Sequence, residues 1–206
     1  MKVRCMPSGV LGANTYIAAD EDTNKAFILD PGGYNKATED YIRNEGYDPE
    51  YIIITHGHGD HTSGIRAYQK AFPGIKLVAC EKEKEFLANP EVNLSIECAG
   101  EPISYTADIW VNDGDTMMIG NTELKFIHTP GHTPGGMCVL AGDILFSGDT
   151  LFYRSVGRTD FYGGSYEQLK SSVRDKLFLL PDDTKVYPGH MNATTIGEEK
   201  RENLFV

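Results

Sequence analysis

Cysteine is scarce and unpatterned in this 206-residue chain: Cys5, Cys80, Cys98 and Cys138 form no CxxC pair and lie outside the histidine-rich motifs. That excludes a thiolate zinc framework and a disulfide scaffold, and leaves the four as small buried hydrophobes or free thiols. No apolar run approaches the ~20 residues of a membrane-spanning helix. The opening Met1-Lys2-Val3-Arg4-Cys5-Met6-Pro7 carries charge but no apolar stretch of signal-peptide length. The expectation is a cytoplasmic protein with no membrane partner. Basic residues are in the minority, 19 Lys and Arg against 30 Asp and Glu, for a formal net charge of −11. Nonspecific phosphate binding needs the opposite balance, so nucleic acid is not an expected partner. Low-complexity linkers are missing too, and the length suits one folded domain over residues 1–206.

What the chain does have is Thr55-His56-Gly57-His58-Gly59-Asp60-His61, directly after the apolar run Tyr51-Ile52-Ile53-Ile54. Tyr51 to Thr55 is aromatic and β-branched, as in a strand buried on both faces. The two glycines weaken any regular element and permit a sharp turn, which predicts that the motif is a loop and not a helix. Residues two apart in a turn converge on one ion, while Asp60 and His61 point elsewhere and reach a second. His132, Asp149 and His190 also follow strand-like segments, in Thr129-Pro130-Gly131-His132-Thr133-Pro134-Gly135-Gly136, Ile144-Leu145-Phe146-Ser147-Gly148-Asp149 and Val186-Tyr187-Pro188-Gly189-His190. Five of the six histidines fall in these loops. The sixth, His128, reads as a surface or hydrogen-bonded core residue. Burying the clustered imidazoles and carboxylates without a cation is unfavourable, so the set reads as metal ligands. Imidazole with carboxylate suits zinc first, with iron or manganese as alternatives.

These motifs, together with Asn14-Thr15-Tyr16, Ile28-Leu29-Asp30-Pro31-Gly32-Gly33, Ser147-Gly148-Asp149-Thr150-Leu151-Phe152 and Gly157-Arg158-Thr159-Asp160, resemble the metallo-β-lactamase superfamily in order and spacing. Within it they resemble the glyoxalase II-like, or hydroxyacylglutathione hydrolase-like, branch. The resemblance implies an α/β (α+β) fold, a four-layer αβ/βα sandwich. It also implies two divalent metal ions: His56, His58 and His132 would hold one, Asp60, His61 and His190 the other, and Asp149 would bridge them.

The organisation along the chain is consistent with that fold. Ala26 to Leu29 reads as a strand ending at Asp30, about Lys36 to Asn44 as a helix, and Tyr51 to Thr55 as the strand delivering the first histidines. Asp143 to Ser147, Tyr166 to Phe178 and Lys185 to Tyr187 repeat the pattern and deliver Asp149 and His190. Lys82 to Leu87 reads as a short charged helix, and Ile109 to Ile127, with turns at Asn112 to Asp115 and at Gly120-Asn121, as β-hairpins.

Two cations about 3.5–4 Å apart would make a bridging hydroxide available near neutral pH and polarise a carbonyl. An acyl thioester is the easiest substrate for such a site, because a thiol of pKa about 8.5 leaves without full protonation. The leading expectation is therefore a dinuclear metallohydrolase acting on a small anionic thioester such as S-D-lactoylglutathione. Asp60 and Asp149 are its catalytic carboxylates, with Asp60 also a candidate proton shuttle. Asp30 is expected to orient a ligand imidazole, or else to cap the Pro31-Gly32 turn. Larger glyoxalase II enzymes carry a C-terminal helical extension that supplies part of the glutathione site; here sixteen residues follow His190 (206 minus 190). Tyr162 matches a substrate-binding tyrosine of those enzymes. Arg158 either holds a substrate carboxylate or pairs with Asp160. The alternatives are a mononuclear iron persulfide dioxygenase using His56, His132 and Asp149, a β-lactam or nucleic-acid hydrolase, and a non-catalytic metal-binding module.

Overall fold

The computed structural model describes residues 1–206. Strands β1 (Lys2–Cys5), β2 (Tyr16–Ala19), β3 (Lys25–Leu29), β4 (Asp48–Ile53), β5 (Lys76–Cys80) and β6 (Ile109–Val111) form one sheet in sequential order. A second six-stranded sheet follows, with β7 (Thr116–Ile119), β8 (Thr122–His128), β9 (Met137–Ala141), β10 (Ile144–Gly148), β13 (Lys185–Pro188) and β14 (Thr194–Thr195). Its order is β14-β13-β10-β9-β8-β7, and a small hairpin of β11 (Leu151–Phe152) and β12 (Ser155–Val156) stands beside it. The helices are α1 (Lys36–Asn44), α2 (Gly59–Thr62), α3 (Ile65–Ala71), α4 (Lys84–Ala88), α5 (Ser95–Ala99), α6 (Tyr166–Asp175) and α7 (Ile196–Glu202).

The period-2 alternation of the strands builds the layers. Phe27, Leu29 and Ile53 face inward and meet Phe126, Val139 and Phe146 of the other sheet. Their neighbours Ile28, Ile52 and Ile54 face outward against Ile42 of α1 and Ile65 and Tyr68 of α3. On the far side Cys138, Leu145 and Val186 pack against Val173, Leu177 and Ile196. Both sheets are thus covered on both faces, which is why their central strands read as continuous apolar runs, and the layers run helix, sheet, sheet, helix, as the four-layer expectation requires. Phe146 meets Phe27 edge to face at 5.6 Å between ring centroids; truncating such a buried ring to alanine removes about 3–5 kcal/mol.

The twofold repeat is present. β3 and β4 pair in parallel around α1, as β10 and β13 do around α6. Helix α1 occupies the expected residues, opened by Asn35, whose side chain accepts the Ala37 N–H at 2.9 Å. Two local expectations need correction. Ile109 to Val111 is not half of a hairpin: it pairs in parallel with β5 in the first sheet, so the Asn112 to Asp115 turn carries the chain across to the second sheet. The loop expected at the histidine motif holds for His56 and His58 only. Asp60 and His61 lie in the single turn α2, whose first residue is anchored by the Gly59 N–H to Asn93 carbonyl bond of 2.7 Å.

Candidate metal centre

Every candidate ligand is delivered by a chain segment leaving the same edge of the sheets. His56 and His58 follow β4, His132 lies between β8 and β9, Asp149 follows β10 and His190 follows β13. Pairing β3 with β4 and β10 with β13 in parallel sends the ends of these strands the same way, so residues more than a hundred positions apart meet there.

Two groups form. The rings of His56, His58 and His132 are mutually edge to face, with centroids 4.7–4.9 Å apart, and His58 Nδ1 lies 2.9 Å from His132 Nε2. Beside them, His190 Nε2 stands 3.2 Å and His61 Nε2 3.6 Å from Asp60 Oδ2. Within each group one nitrogen or oxygen per residue lies within 4.8 Å of the others. Asp149 sits between the groups: its Oδ1 is 3.4 Å from His61 Nε2, and its Oδ2 is 3.6 Å from His132 Nε2 and 3.8 Å from His190 Nε2.

The donors fit a cation by a test internal to the fold. Nε2 of His56, His58 and His61 and Oδ1 of Asp149 are buried with no hydrogen-bond partner. Orphaned buried polar atoms on neighbouring residues are unfavourable unless another species meets them, and an all-nitrogen and oxygen set suits a divalent metal. The electrostatics divide the two groups. Burial, then the neighbouring imidazoles, drives His56 well below its usual value, and burial and His132 bring His58 down to about 3. Those rings are neutral, the form that ligates. At His61 burial opposes the charge, but Asp149, Asp60 and Asp30 outweigh it and raise the ring to about 10. Burial likewise opposes the charge on Asp60, yet His61 and His190 hold it below the usual carboxylate range. The hydrogen bond to Asp60 raises His190.

Surrounding residues hold these side chains in place. Asp30 Oδ2 is 3.1 Å from His61 Nδ1, and its carboxylate also accepts the Thr55 N–H and hydroxyl, each at 2.7 Å. His132 Nδ1 lies 2.6 Å from the carbonyl oxygen of Arg158. Asn14 Nδ2 donates to the carbonyls of Pro188 and Met191 at 3.0 and 2.9 Å, and the Tyr16 hydroxyl donates to Pro188 at 2.7 Å, so the Asn14-Thr15-Tyr16 segment fastens the His190 loop.

A cavity of about 200 Å³ opens over the groups, with His58, Asp60, His132, Asp149 and His190 in its lining and Leu11, Leu94, Phe152 and Phe161 as apolar walls. Arg158 lines it too; its guanidinium pairs with Asp160 at 2.7 Å and stacks on Phe161 at 4.3 Å from the ring centroid. Tyr162 is 69% exposed and takes no part in the lining. His128 stays outside both groups, its Nε2 3.0 Å from the Pro134 carbonyl. Cys98, outside the histidine-rich motifs in sequence, lines the cavity because α5 folds back over α2. A larger depression of about 370 Å³, lined by Tyr34, Glu39, Ala67, Lys70 and Ala71, holds none of this chemistry. Sequence reasoning missed the Arg158 carbonyl, the apolar walls and Glu83. A backbone acceptor leaves no trace in residue type, and Glu83 sits in a segment that reads as solvated.

Residues 8–190 match the family model of the metallo-beta-lactamase superfamily. The whole chain is 35% identical to the probable metallo-hydrolase YqgX of Bacillus subtilis, covering 98% of it, and 33% identical to the hydroxyacylglutathione hydrolase GloC of Haemophilus influenzae, also covering 98%. Among solved structures, the BLEG-1 B3 metallo-beta-lactamase superposes with a TM-score of 0.91 at 35% identity, over 99% of both chains. ETHE1 from Myxococcus xanthus gives 0.82 at 30%, over 99% of this chain and 84% of its own. TTHA1623, solved in a di-iron-bound form, gives 0.85 at 28%, over 98% and 100%. With the fold, the loop positions and a match spanning all the ligand-bearing segments in agreement, the chain belongs to the metallo-beta-lactamase superfamily.

Proposed function

We propose that this protein is a dinuclear metallohydrolase that cleaves a small anionic acyl thioester of the S-D-lactoylglutathione type in the cytoplasm. The observation that carries the reading is Asp149, whose two oxygens face His61 on one side and His132 and His190 on the other at 3.4–3.8 Å. His56, His58 and His132 would hold one ion, Asp60, His61 and His190 the other, with Asp149 placed to be shared by both. Zinc is the first choice for this donor set, with iron or manganese as alternatives. Bound divalent ions supply Lewis-acid polarisation of a carbonyl and a water nucleophile at neutral pH.

The remaining steps belong to side chains of this chain. Asp60 lies in the cavity lining and is held ionised by His61 and His190, which suits it to accept a hydrogen bond from the attacking water; its place there also makes it the candidate proton shuttle. Leu11, Phe152 and Phe161 give the cavity an apolar wall against which the acyl group can pack. Arg158, once released from Asp160, is a bidentate partner for a substrate carboxylate at the rim. The thiolate departs with little protonation, since thiols titrate near pH ~8.5.

The likeness to GloC supports the thioester reading. A mononuclear iron persulfide dioxygenase using His56, His132 and Asp149 is the second reading, supported by the likeness to ETHE1 and by the contact of His132 with Asp149. The test is thiol release from S-D-lactoylglutathione under strictly anaerobic conditions, with a chromogenic β-lactam assayed in parallel because of the likeness to BLEG-1. Anaerobic thioester cleavage is expected. Oxygen-dependent turnover of a persulfide with no anaerobic cleavage would overturn the reading in favour of the second.

A further inference from the structure

Glu83 is wholly buried in a segment whose neighbours Glu81, Lys82, Lys84 and Glu85 are all exposed. Its carboxylate reaches two loops that are far apart in sequence. Oε1 accepts the N–H of Gly57 at 2.9 Å, and Oε2 accepts the N–H of Gly135 at 2.7 Å. Gly57 separates His56 from His58, and Gly135 lies three residues after His132. Both glycines close against the turn that carries Glu83. A Cβ on Gly57 would stand 3.0 Å from Phe86 and 3.3 Å from Glu83 Oε1, and one on Gly135 would stand 2.3 Å from the Glu83 nitrogen and 2.5 Å from Oε2. Phe86, from the same turn, meets the His58 ring edge to face at 5.2 Å.

We propose that Glu83 is a positioning residue for the three-imidazole group, a two-pronged clamp that sets the spacing of the His56–His58 loop against the His132 loop. The inference rests on the reading that these three histidines hold a cation. Once ionised, above about pH 7, a carboxylate is suited to the task because it presents two acceptors and no donor to two backbone N–H groups. A lone buried carboxylate is otherwise unfavourable, and burial pushes the Glu83 carboxyl up to about 7 against the Gly57 N–H, the Thr133 hydroxyl and the Gly135 N–H. Glutamine in its place satisfies one loop and turns an NH₂ donor toward the N–H of the other, so one loop is released while side-chain volume is kept.

The test uses metal-free full-length protein titrated with cobalt(II) against a chromophoric chelator, comparing wild type, Glu83→Gln, Glu83→Ala and Glu199→Gln. Glu199 is a buried carboxylate that accepts the Arg154 N–H at 2.9 Å away from the candidate ligands, and it reports general loss of stability. Both Glu83 variants are expected to weaken one of two binding steps by about 10–100-fold and to change the visible cobalt spectrum. Glu199→Gln is expected to leave both unchanged. Amide hydrogen exchange of the metal-free protein gives a second readout, with the Gly57 and Gly135 amides protected in wild type and at least one of them released in Glu83→Gln. Wild type that binds no cobalt would sink the metal reading, and the exchange rates alone would then decide the clamp. Cobalt affinity equal in wild type and both Glu83 variants, an equal loss in Glu199→Gln, or unchanged exchange at both glycines overturns the proposal.

Discussion

The Asp30 carboxylate is 3.1 Å from His61 Nδ1, which directs the other nitrogen, Nε2, toward Asp60 and Asp149. Asp30 adopts a left-handed backbone with φ of 49°, unusual for a residue with a Cβ, and three hydrogen bonds to its carboxylate hold it there. The strained position and the orientation of His61 are therefore one feature.

Asp30→Asn tests that link, because asparagine tolerates the same backbone while replacing one acceptor oxygen with an NH₂ donor and removing the negative charge. It should weaken the second metal equivalent by about 10–100-fold and lower the stability of the metal-free protein by about 1–3 kcal/mol. Metal titration and denaturant unfolding measure the two effects, and unchanged affinity would refute the orienting role.

Fully supplemented protein should carry two metal ions per chain by elemental analysis. His58→Ala and His61→Ala should each lose one, from different groups. Asn14→Ala, which unfastens the His190 loop, should weaken the second equivalent in preference to the first. Wild type that stays at one ion per chain defeats the dinuclear assignment.

Asp149→Ala should be the most damaging single change, with turnover lost, because it removes a group that faces both sets of ligands. His128→Ala should be mild, since it gives up one bond to the Pro134 carbonyl. Turnover that survives the first substitution and collapses with the second would show that this region has been misassigned.

Arg158→Ala should raise KM for an anionic thioester by about tenfold or more while kcat changes less, the pattern of a lost ground-state contact. Its carbonyl still holds His132 in that variant, so the metal content should stay intact. Tyr162→Phe should change neither constant appreciably, since Tyr162 stands outside the cavity lining. A drop in kcat with constant KM in Arg158→Ala would argue against substrate binding.

Stability against pH provides a check on Glu83 in the metal-free protein. Burial raises its carboxyl from 4.5 to about 7, so between those values the folded state holds a proton that the unfolded chain has released. The contribution is fully present below about pH 4.5 and is lost as pH rises through about 7. Glu83→Gln does not titrate, and the stability difference should move in its favour across that window in chelator-treated samples. A difference that is independent of pH would contradict the burial argument.

The candidate ligands were legible in the sequence because the signal is local. Imidazoles and carboxylates placed directly after apolar runs must emerge at strand ends, and a strand, helix, strand repeat brings such ends to one edge. Helix α1 also fills the residues expected for it, about Lys36 to Asn44, and the structure adds the Asn35 cap. Other features depended on partners distant in the chain. Residues Ile109 to Val111 carry a strand pattern, but only the parallel register with Val78 to Cys80 places them in the first sheet. Arg158 announces a cation, yet it is its carbonyl that meets His132. Glu83 reads as one more charge on a solvated helix until Gly57 and Gly135, 26 and 52 residues away, close over it. Residue type and local period determine what a segment offers, whereas burial and the pairing of backbone groups arise only when the sheets stack, because those contacts join segments that share no local pattern.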